Sequence, residues 1–408
     1  VRLAVIRRRK LERRQGAIAM LALFAVPLFL LVLGLVVYLA VLRDARQECQ
    51  SAADAAALAC AYELASDELL TQDMDRAEQR LQRARNKALE LASLNFSAGN
   101  RLQLDPNTEC DPEGDVVFGR VPSHGSGVFT PMDAKPASWV GDRINAVQIT
   151  PRRQAIAAPF GGPAPDRPVM ARSLAMLDWE VVGFRPFNNE PVPMVPIAVF
   201  TDHIGKARNS WDAHCRVVKN DHLRFDHEKR QFVPGNDGIP EVKATIGRTM
   251  QGGATVPAMF LDIGTTTIAE TIEQVSRGIT RDEMEQKFTG GFVLGADNIL
   301  PVPCIFGCPG HGMASRKLLN EAFDALIESG QPRIWPLFTT VDEDKGKAIL
   351  TGWISARLAS ASMNAVGGID LVLQPAVMHH PAIVAEHRST APLFWANNRT
   401  VCRVRLTQ

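Results

Sequence analysis

The sequence predicts an α+β chain: one N-terminal transmembrane helix continues into a long Ala-rich helix, and a β-rich exported region with a few helices follows. Three observations carry this. Ala17 to Leu42, AIAMLALFAVPLFLLVLGLVVYLAVL, contains no Asp, Glu, Lys, Arg or His. Arg43 to about Asn95 contains no proline or glycine and is dominated by the strong helix formers Ala, Leu, Glu, Gln and Arg. Beyond it, short β-prone runs punctuated by Gly and Pro outnumber the helical patterns.

A bilayer core is crossed by roughly 20 apolar residues in a helix, so the first run is long enough to span with some tilt. Pro27 and Gly34 are tolerated in membrane helices. A buried helix of a soluble protein is usually shorter. A cleaved signal peptide has an apolar region of about 7–15 residues ending at a small-x-small site, whereas this run passes through Arg43 and Asp44 into further helical pattern. It therefore reads as an uncleaved anchor, with Gly16, Pro27 and Gly34 as its anchor residues. Arg7, Arg8, Arg9, Lys10, Arg13 and Arg14 precede it, opposed only by Glu12. Arg43 and Arg46 follow it beside Asp44 and Glu48. Basic residues stay cytoplasmic, which predicts a single pass through the cytoplasmic membrane with the C-terminal region exported. The expected segments are a basic tail (1–16), the span (17–42), a membrane-proximal helix (43–98), a first β-rich block (105–205), a hairpin or linker (206–245) and a second α+β block (246–408).

The net charge of +1 over 408 residues gives no electrostatic footprint for nucleic acid, and none is expected as a partner. Seven cysteines would lie in an oxidising space, an odd number that leaves at least one thiol free or paired to another chain. Cys49 and Cys60 lie about 16 Å apart along one helix and cannot bridge within it. Cys304 and Cys308 are the candidate local disulfide.

Gln50 to Leu64, QSAADAAALACAYEL, raises the question of what a plain alanine helix with a single aspartate packs against. Ala52, Ala53, Ala55, Ala56, Ala57 and Ala59 leave a thin surface that another element can approach closely. Gln50, Asp54, Ala55 and Ala56 are the candidate packing residues, with Asp54 capping, pairing or reaching water. The helix packs either on its own domain or against a second copy or partner. Farther on, Ala77, Leu81, Ala84, Ala88, Leu91 and Leu94 make an apolar stripe.

The string RRQGAIAMLALFAVPLFLLVLGLVVYLAVLRDARQECQSAADAAALACA resembles the N-terminal segment of TadE/TadG-like proteins of the Flp (tight adherence) pilus-assembly system. The features that carry the resemblance are the basic residues before Gly16, the single span, and Gln50 preceding AADAAALA. It implies that the alanine helix is the family's membrane-proximal helix. Pseudopilin-type members carry a glutamate where this chain has Leu21, and D-x-S-x-S, the metal string of members with a von Willebrand-type domain, does not occur here. The rest of the chain resembles, more loosely, large TadE/TadG-like membrane proteins of planctomycete type, through INAVQITPRR, MARSLAMLDWEVVGFRP, FLDIGTTTIAETIEQVSRGIT, GHGMASRKLLNEAFDALIESGQPRIWPLF and IDLVLQPAV.

In the exported region, Asp115–Val121 and Asn145–Thr150 read as strands. ARSLAMLDWEVVGFRP begins helical and ends as the strand Trp179–Arg185. LRFDHEKRQFVPGNDG reads as a hairpin with its tip near His227–Lys229, VPAMFLDIG as a strand, and IAETIEQVSRGI as a helix ending at Gly278. ASRKLLNEAFDALIESG is an amphipathic helix with Leu318, Leu319, Ala322, Phe323 and Leu326 on one side and Gly330 at its C-terminus. RIWPLFTTV, KAILTGWISARLAS, IDLVLQPAV and TVCRVRL supply further strands.

DIGTTT, Asp262 to Thr267, resembles the first phosphate loop of actin-like kinases. The chain then enters a helix where that fold needs strands, and Asp370 lacks the following glycine. A strand–turn–helix cap on Thr265 or Thr266 is expected instead. CIFGCPGHG offers Cys304, Cys308 and His311 but no fourth zinc ligand at the usual spacing. G-x-S-x-G and H-E-x-x-H are both absent. No catalytic residue, metal or cofactor is expected. The sequence points to a membrane-anchored, non-enzymatic accessory or scaffold in pilus assembly or envelope attachment. Its expected partners are the lipid bilayer and other envelope or pilus-assembly proteins, or a second copy through the alanine helix. Two competing classes are a membrane-tethered hydrolase or metal-binding enzyme, which needs Asp262, Cys304, Cys308 and His311 to converge, and a general surface-binding protein using the same anchor.

Overall fold

The computed structural model describes residues 2–71, 73–122, 128–132, 144–153, 168–202, 207–218, 220–247, 255–265, 267–305, 313–364, 367–386 and 400–407, with side-chain environments from Met20 onward. The α+β class is observed. Helix α1 (Arg2–Leu64) is 63 residues long and runs through Pro27 without a break, which makes it about 95 Å long. Helix α2 (Met74–Ser93) folds back antiparallel against it.

The predicted unbroken helical stretch is therefore interrupted. Ser66, Asp67, Thr71 and Asp73 fall in the gap, and such side chains favour turns and caps over helix interiors. The carboxylate of Asp73 accepts the N–H groups of Asp75 and Arg76 and starts α2.

A tight hairpin follows, β1 (Phe96–Ser97) and β2 (Asn100–Arg101). Next come β3 (Val116–Arg120), β4 (Thr130–Pro131), β5 (Ala146–Ile149), β6 (Arg152–Arg153), β7 (Val169–Met170), β8 (Ser173–Asp178), β9 (Val181–Phe184) and β10 (Ile197–Phe200). A short helical turn, Trp211–Val218, precedes the predicted hairpin β11 (Leu223–Asp226) and β12 (Gln231–Pro234). The next elements are β13 (Val242–Ile246), β14 (Val256–Leu261), α3 (Ile268–Arg277), α4 (Arg281–Lys287), β15 (Phe292–Val293), β16 (Leu300–Ile305) and α5 (Met313–Ser329). The chain ends with β17 (Arg333–Asp342), β18 (Lys347–Met363), β19 (Ile369–Pro375), β20 (Met378–His379), β21 (Ile383–Ala385) and β22 (Val401–Thr407).

Two sheets organise these strands. The first runs β20-β22-β8-β5-β3-β4, so the last strand of the chain lies beside β8. The second runs β10-β17-β18-β16-β14-β13-β19, and the extra pairings β10–β14 and β18–β19 close it on itself. Closure leaves few open edges for another chain to extend. Strand β18 is 17 residues long and pairs with both β17 and β19. A small third sheet, β15-β9-β21, lies against the second through the contacts of Phe184 and Phe292 with Trp353.

Two sequence expectations need correction. ARSLAMLD is strand β8, not the start of a helix. It is hydrogen-bonded on both sides, to β5 and β22, and buried along nearly its whole length, so tertiary pairing overrides the helix propensity of Ala, Leu and Met. On α5, Leu319, Ala322, Phe323 and Leu326 are buried, but Leu318 is 47% exposed and lies off the packed stripe.

The DIGTTT segment forms the expected strand–turn–helix, but Thr267 is the cap. It makes a capping box with Glu270, while Thr265 bonds to Thr271, and Thr266 lies outside the described residues. Gly264 turns the chain at φ +69°, where a Cβ would stand 1.7 Å from the carbonyl oxygen of Glu283.

Candidate functional site

The side chains of α1 change character within one turn. From Met20 to Leu42 nearly all are exposed, with Leu21, Leu23, Phe24, Phe29 and Leu31 among the most open. Ala45 is already 1% exposed. From there Ala45, Cys49, Ala52, Ala53, Ala56, Ala57, Cys60, Ala61 and Leu64 form one fully buried stripe at three- and four-residue spacing. Ala56, Ala57, Cys60, Ala61 and Leu64 pack with α2 and with Val147, Ile149, Ala175, Leu177 and Cys402 of the first sheet, while Cys49 and Ala52 pack with Leu102 and Ala171. Each methyl contributes only about 0.8 kcal/mol on burial; what alanine adds is the close approach of the helix backbone to the strands. Burial also pushes the thiols of Cys60 and Cys402 well up, so they stay protonated.

Asp54 sits half-buried at the rim of this stripe and accepts a 2.8 Å hydrogen bond from Gln50 Nε2, which also donates to the Arg172 carbonyl at 3.3 Å. Gln50 is exposed and Ala55 half-buried, whereas Ala56 lies inside the stripe. The alanine surface is thus filled within the chain, and self-association through it would require these contacts to break. Gly16, Pro27 and Gly34 all lie within α1.

A second feature had no signal in the sequence. Asp67, in the turn after α1, and Arg357, on β18, are 8% and 7% exposed and form a buried ion pair at 2.5 Å. The other carboxylate oxygen accepts the Val377 N–H at 2.7 Å. Arg357 also donates to the Gly330 carbonyl and lies 4.2 Å over the Phe225 ring. This pair joins the helical hairpin to the second sheet. Beside the same turn, a cavity of about 760 Å³ is lined by Thr71, Asp73, Arg76, Asp221, His222 and Asp237 among others. Burial, the largest cause, and Asp221 hold the Asp237 carboxyl above the ordinary carboxylate value, against the Ile239 N–H that lowers it.

The enzyme-like strings are described only in part. Asp262 pairs with Lys287. Cys304 lies on β16, but Cys308 and His311 fall outside the described residues, and with them the candidate disulfide and the convergence the hydrolase reading requires. Among the described residues, no group of three or more His, Cys, Asp or Glu side chains is placed to hold a metal ion.

These features define an α+β protein in which one N-terminal helix, long and apolar enough to cross a bilayer, fits a single-pass membrane anchor. Residues 16–63 match the family model described as "Putative Flp pilus-assembly TadE/G-like". The match covers both the apolar part of α1 and its alanine stripe, and it points to a membrane protein related to Flp pilus assembly. No curated protein and no solved structure matches the chain.

Proposed function

We propose that the chain is a non-enzymatic scaffold of the cell envelope, acting in Flp/Tad pilus assembly or in envelope attachment. It is anchored in the cytoplasmic membrane with its basic N-terminal segment inside and its sheets on the exported side. The observation that carries this reading is the continuity of α1. The exposed apolar stretch passes into the buried alanine stripe without a linker, so the helix that sits in lipid is also a core helix of the folded region. A flexible tether would let a domain wander; a shared helix holds its faces at a set height and tilt, as a scaffold requires. The match at residues 16–63 supplies the pilus context. The structural use of Asp262 and Thr267 supports a non-catalytic reading.

Paired C-terminal reporters test the topology: one enzyme active only outside the cytoplasm, one fluorescent protein that matures only inside. Activity of the exported reporter is expected, and fluorescence alone would reverse the orientation. Deletion of the gene tests the role, with loss of pili or of surface attachment expected. Normal pili and attachment would remove it.

A further inference from the structure

The hairpin β1–β2 sits at the level where α1 leaves the apolar stretch. Ser97 Oγ donates to the Ala45 carbonyl at 3.1 Å, Cys49 Sγ lies 3.4 Å from Ser97 Oγ, and the Ala98 N–H donates to Glu48 Oε2 at 2.7 Å. Ala45 and Glu48 lie about 4.5 Å and 9 Å beyond Leu42 along the helix axis. Headgroups add about 5–8 Å to each side of the hydrocarbon core. Three contacts with α1 thus hold the hairpin across the outer boundary of the headgroup layer, the Ala45 contact within it and the Glu48 and Cys49 contacts just beyond.

What it carries there suits that layer. Phe96 is 51% exposed, and Arg101, its partner across the hairpin, places its guanidinium 5.7 Å from the ring. Arg43 and Arg46 of α1 are exposed at the same level, and Arg153 braces the hairpin by donating to the Ser97 carbonyl at 3.1 Å. Asp44 and Glu48 lie at the same level, and the Glu48 carboxylate accepts the Ala98 N–H. A single exposed phenylalanine is ordinary on a protein surface. One held against Arg101, on a hairpin bound to α1 just past its apolar stretch and at the axial level of Arg43 and Arg46, is placed for the interface, where rings sit among headgroups and guanidinium groups meet phosphates.

We propose that β1–β2 is a second membrane contact, with Phe96 entering the headgroup layer and Arg101, Arg43 and Arg46 binding lipid phosphates. A lone span fixes height and tilt but allows rotation about its own axis. A second contact off that axis fixes the rotation too, so the same face of the two sheets always points the same way.

The inference rests on α1 being a bilayer span, and the two fail separately: without the span the protein does not float with liposomes, whereas without the hairpin contact it still does. Full-length protein in phospholipid vesicles is compared with Phe96→Trp, Asn100→Trp and Val218→Trp, each read as the emission added to the six native tryptophans. Val218 is 52% exposed and lines the cavity with Leu70, past the far end of α1. Added emission from Phe96→Trp should be blue-shifted, strongly quenched by phospholipids brominated near the headgroup, and protected from aqueous iodide. Val218→Trp should show the opposite pattern. Asn100→Trp reports from the same hairpin and should follow Phe96→Trp, so the test survives if either variant misfolds. Iodide quenching at both hairpin positions equal to that at Val218 would overturn the proposal. So would protection from iodide without quenching by the brominated lipid, which would mean that protein covers the hairpin.

Discussion

Replacing Asp67 by alanine should loosen the joint between the anchor helices and the second sheet. The substitution removes the carboxylate from a pair whose members are 8% and 7% exposed, and it strips the Val377 N–H of its acceptor. Breaking a buried ion pair from one side typically costs about 3–5 kcal/mol, because the remaining charge stays buried. Arg357 retains the Gly330 carbonyl and the Phe225 ring, so its charge is not left wholly without partners and the loss falls at the lower end of that range. The expected net loss is about 3 kcal/mol. Urea unfolding of the full-length protein, followed by tryptophan emission, to which fully buried Trp335 and Trp353 contribute, should show an earlier transition at unchanged slope. Asp67→Ala with Arg357→Met should be less destabilised than the sum of the single variants, with about 2 kcal/mol of coupling. A loss below about 1 kcal/mol for Asp67→Ala, or strict additivity, would refute the claim that this pair holds the joint.

Ala56→Leu should destabilise by about 1–3 kcal/mol through overpacking of the stripe between α1 and the first sheet, while exposed Gln50→Ala should stay within about 0.5 kcal/mol; parallel urea midpoints check both. Gly264→Ala should cost about 3 kcal/mol, combining left-handed strain with a backbone clash against Glu283, and the same unfolding measurement reads it. Because the folded-state pKa of Asp237 is raised, its contribution to stability is present below the ordinary 3.8 and is lost as pH rises through the folded value. Asp237→Asn should therefore gain stability relative to wild type as pH rises through that window, and urea midpoints measured on either side of it check the sign.

The parts of this fold that were legible in the sequence are those whose cause is local. The apolar run could be read because every residue in it shares one property, the one a lipid environment demands, and α3, α5 and the β11–β12 hairpin announced themselves through period and punctuation. Strand β8 was misread because both its edges are paired and nearly all its residues are buried, which erases the alternation that marks a half-exposed strand. The Asp67–Arg357 pair joins positions 290 residues apart, and no window along the chain contains both. The alanine helix lies between these cases. Its string says that something packs closely on it, because only a thin face with a residue such as Asp54 at its edge combines small size with that spacing. It does not say what packs there, since a strand, a second helix and a second copy of the chain all fit the same row of methyl groups. The occupant follows from what the rest of the chain offers: β5, β8 and β22 carry Val, Ile, Leu, Ala and Cys against the stripe, and α2 folds back beside them. The helix that carries the proposed anchor is therefore also a core helix of the domain, and substitutions on the alanine face should disturb folding of the sheets and placement at the membrane together.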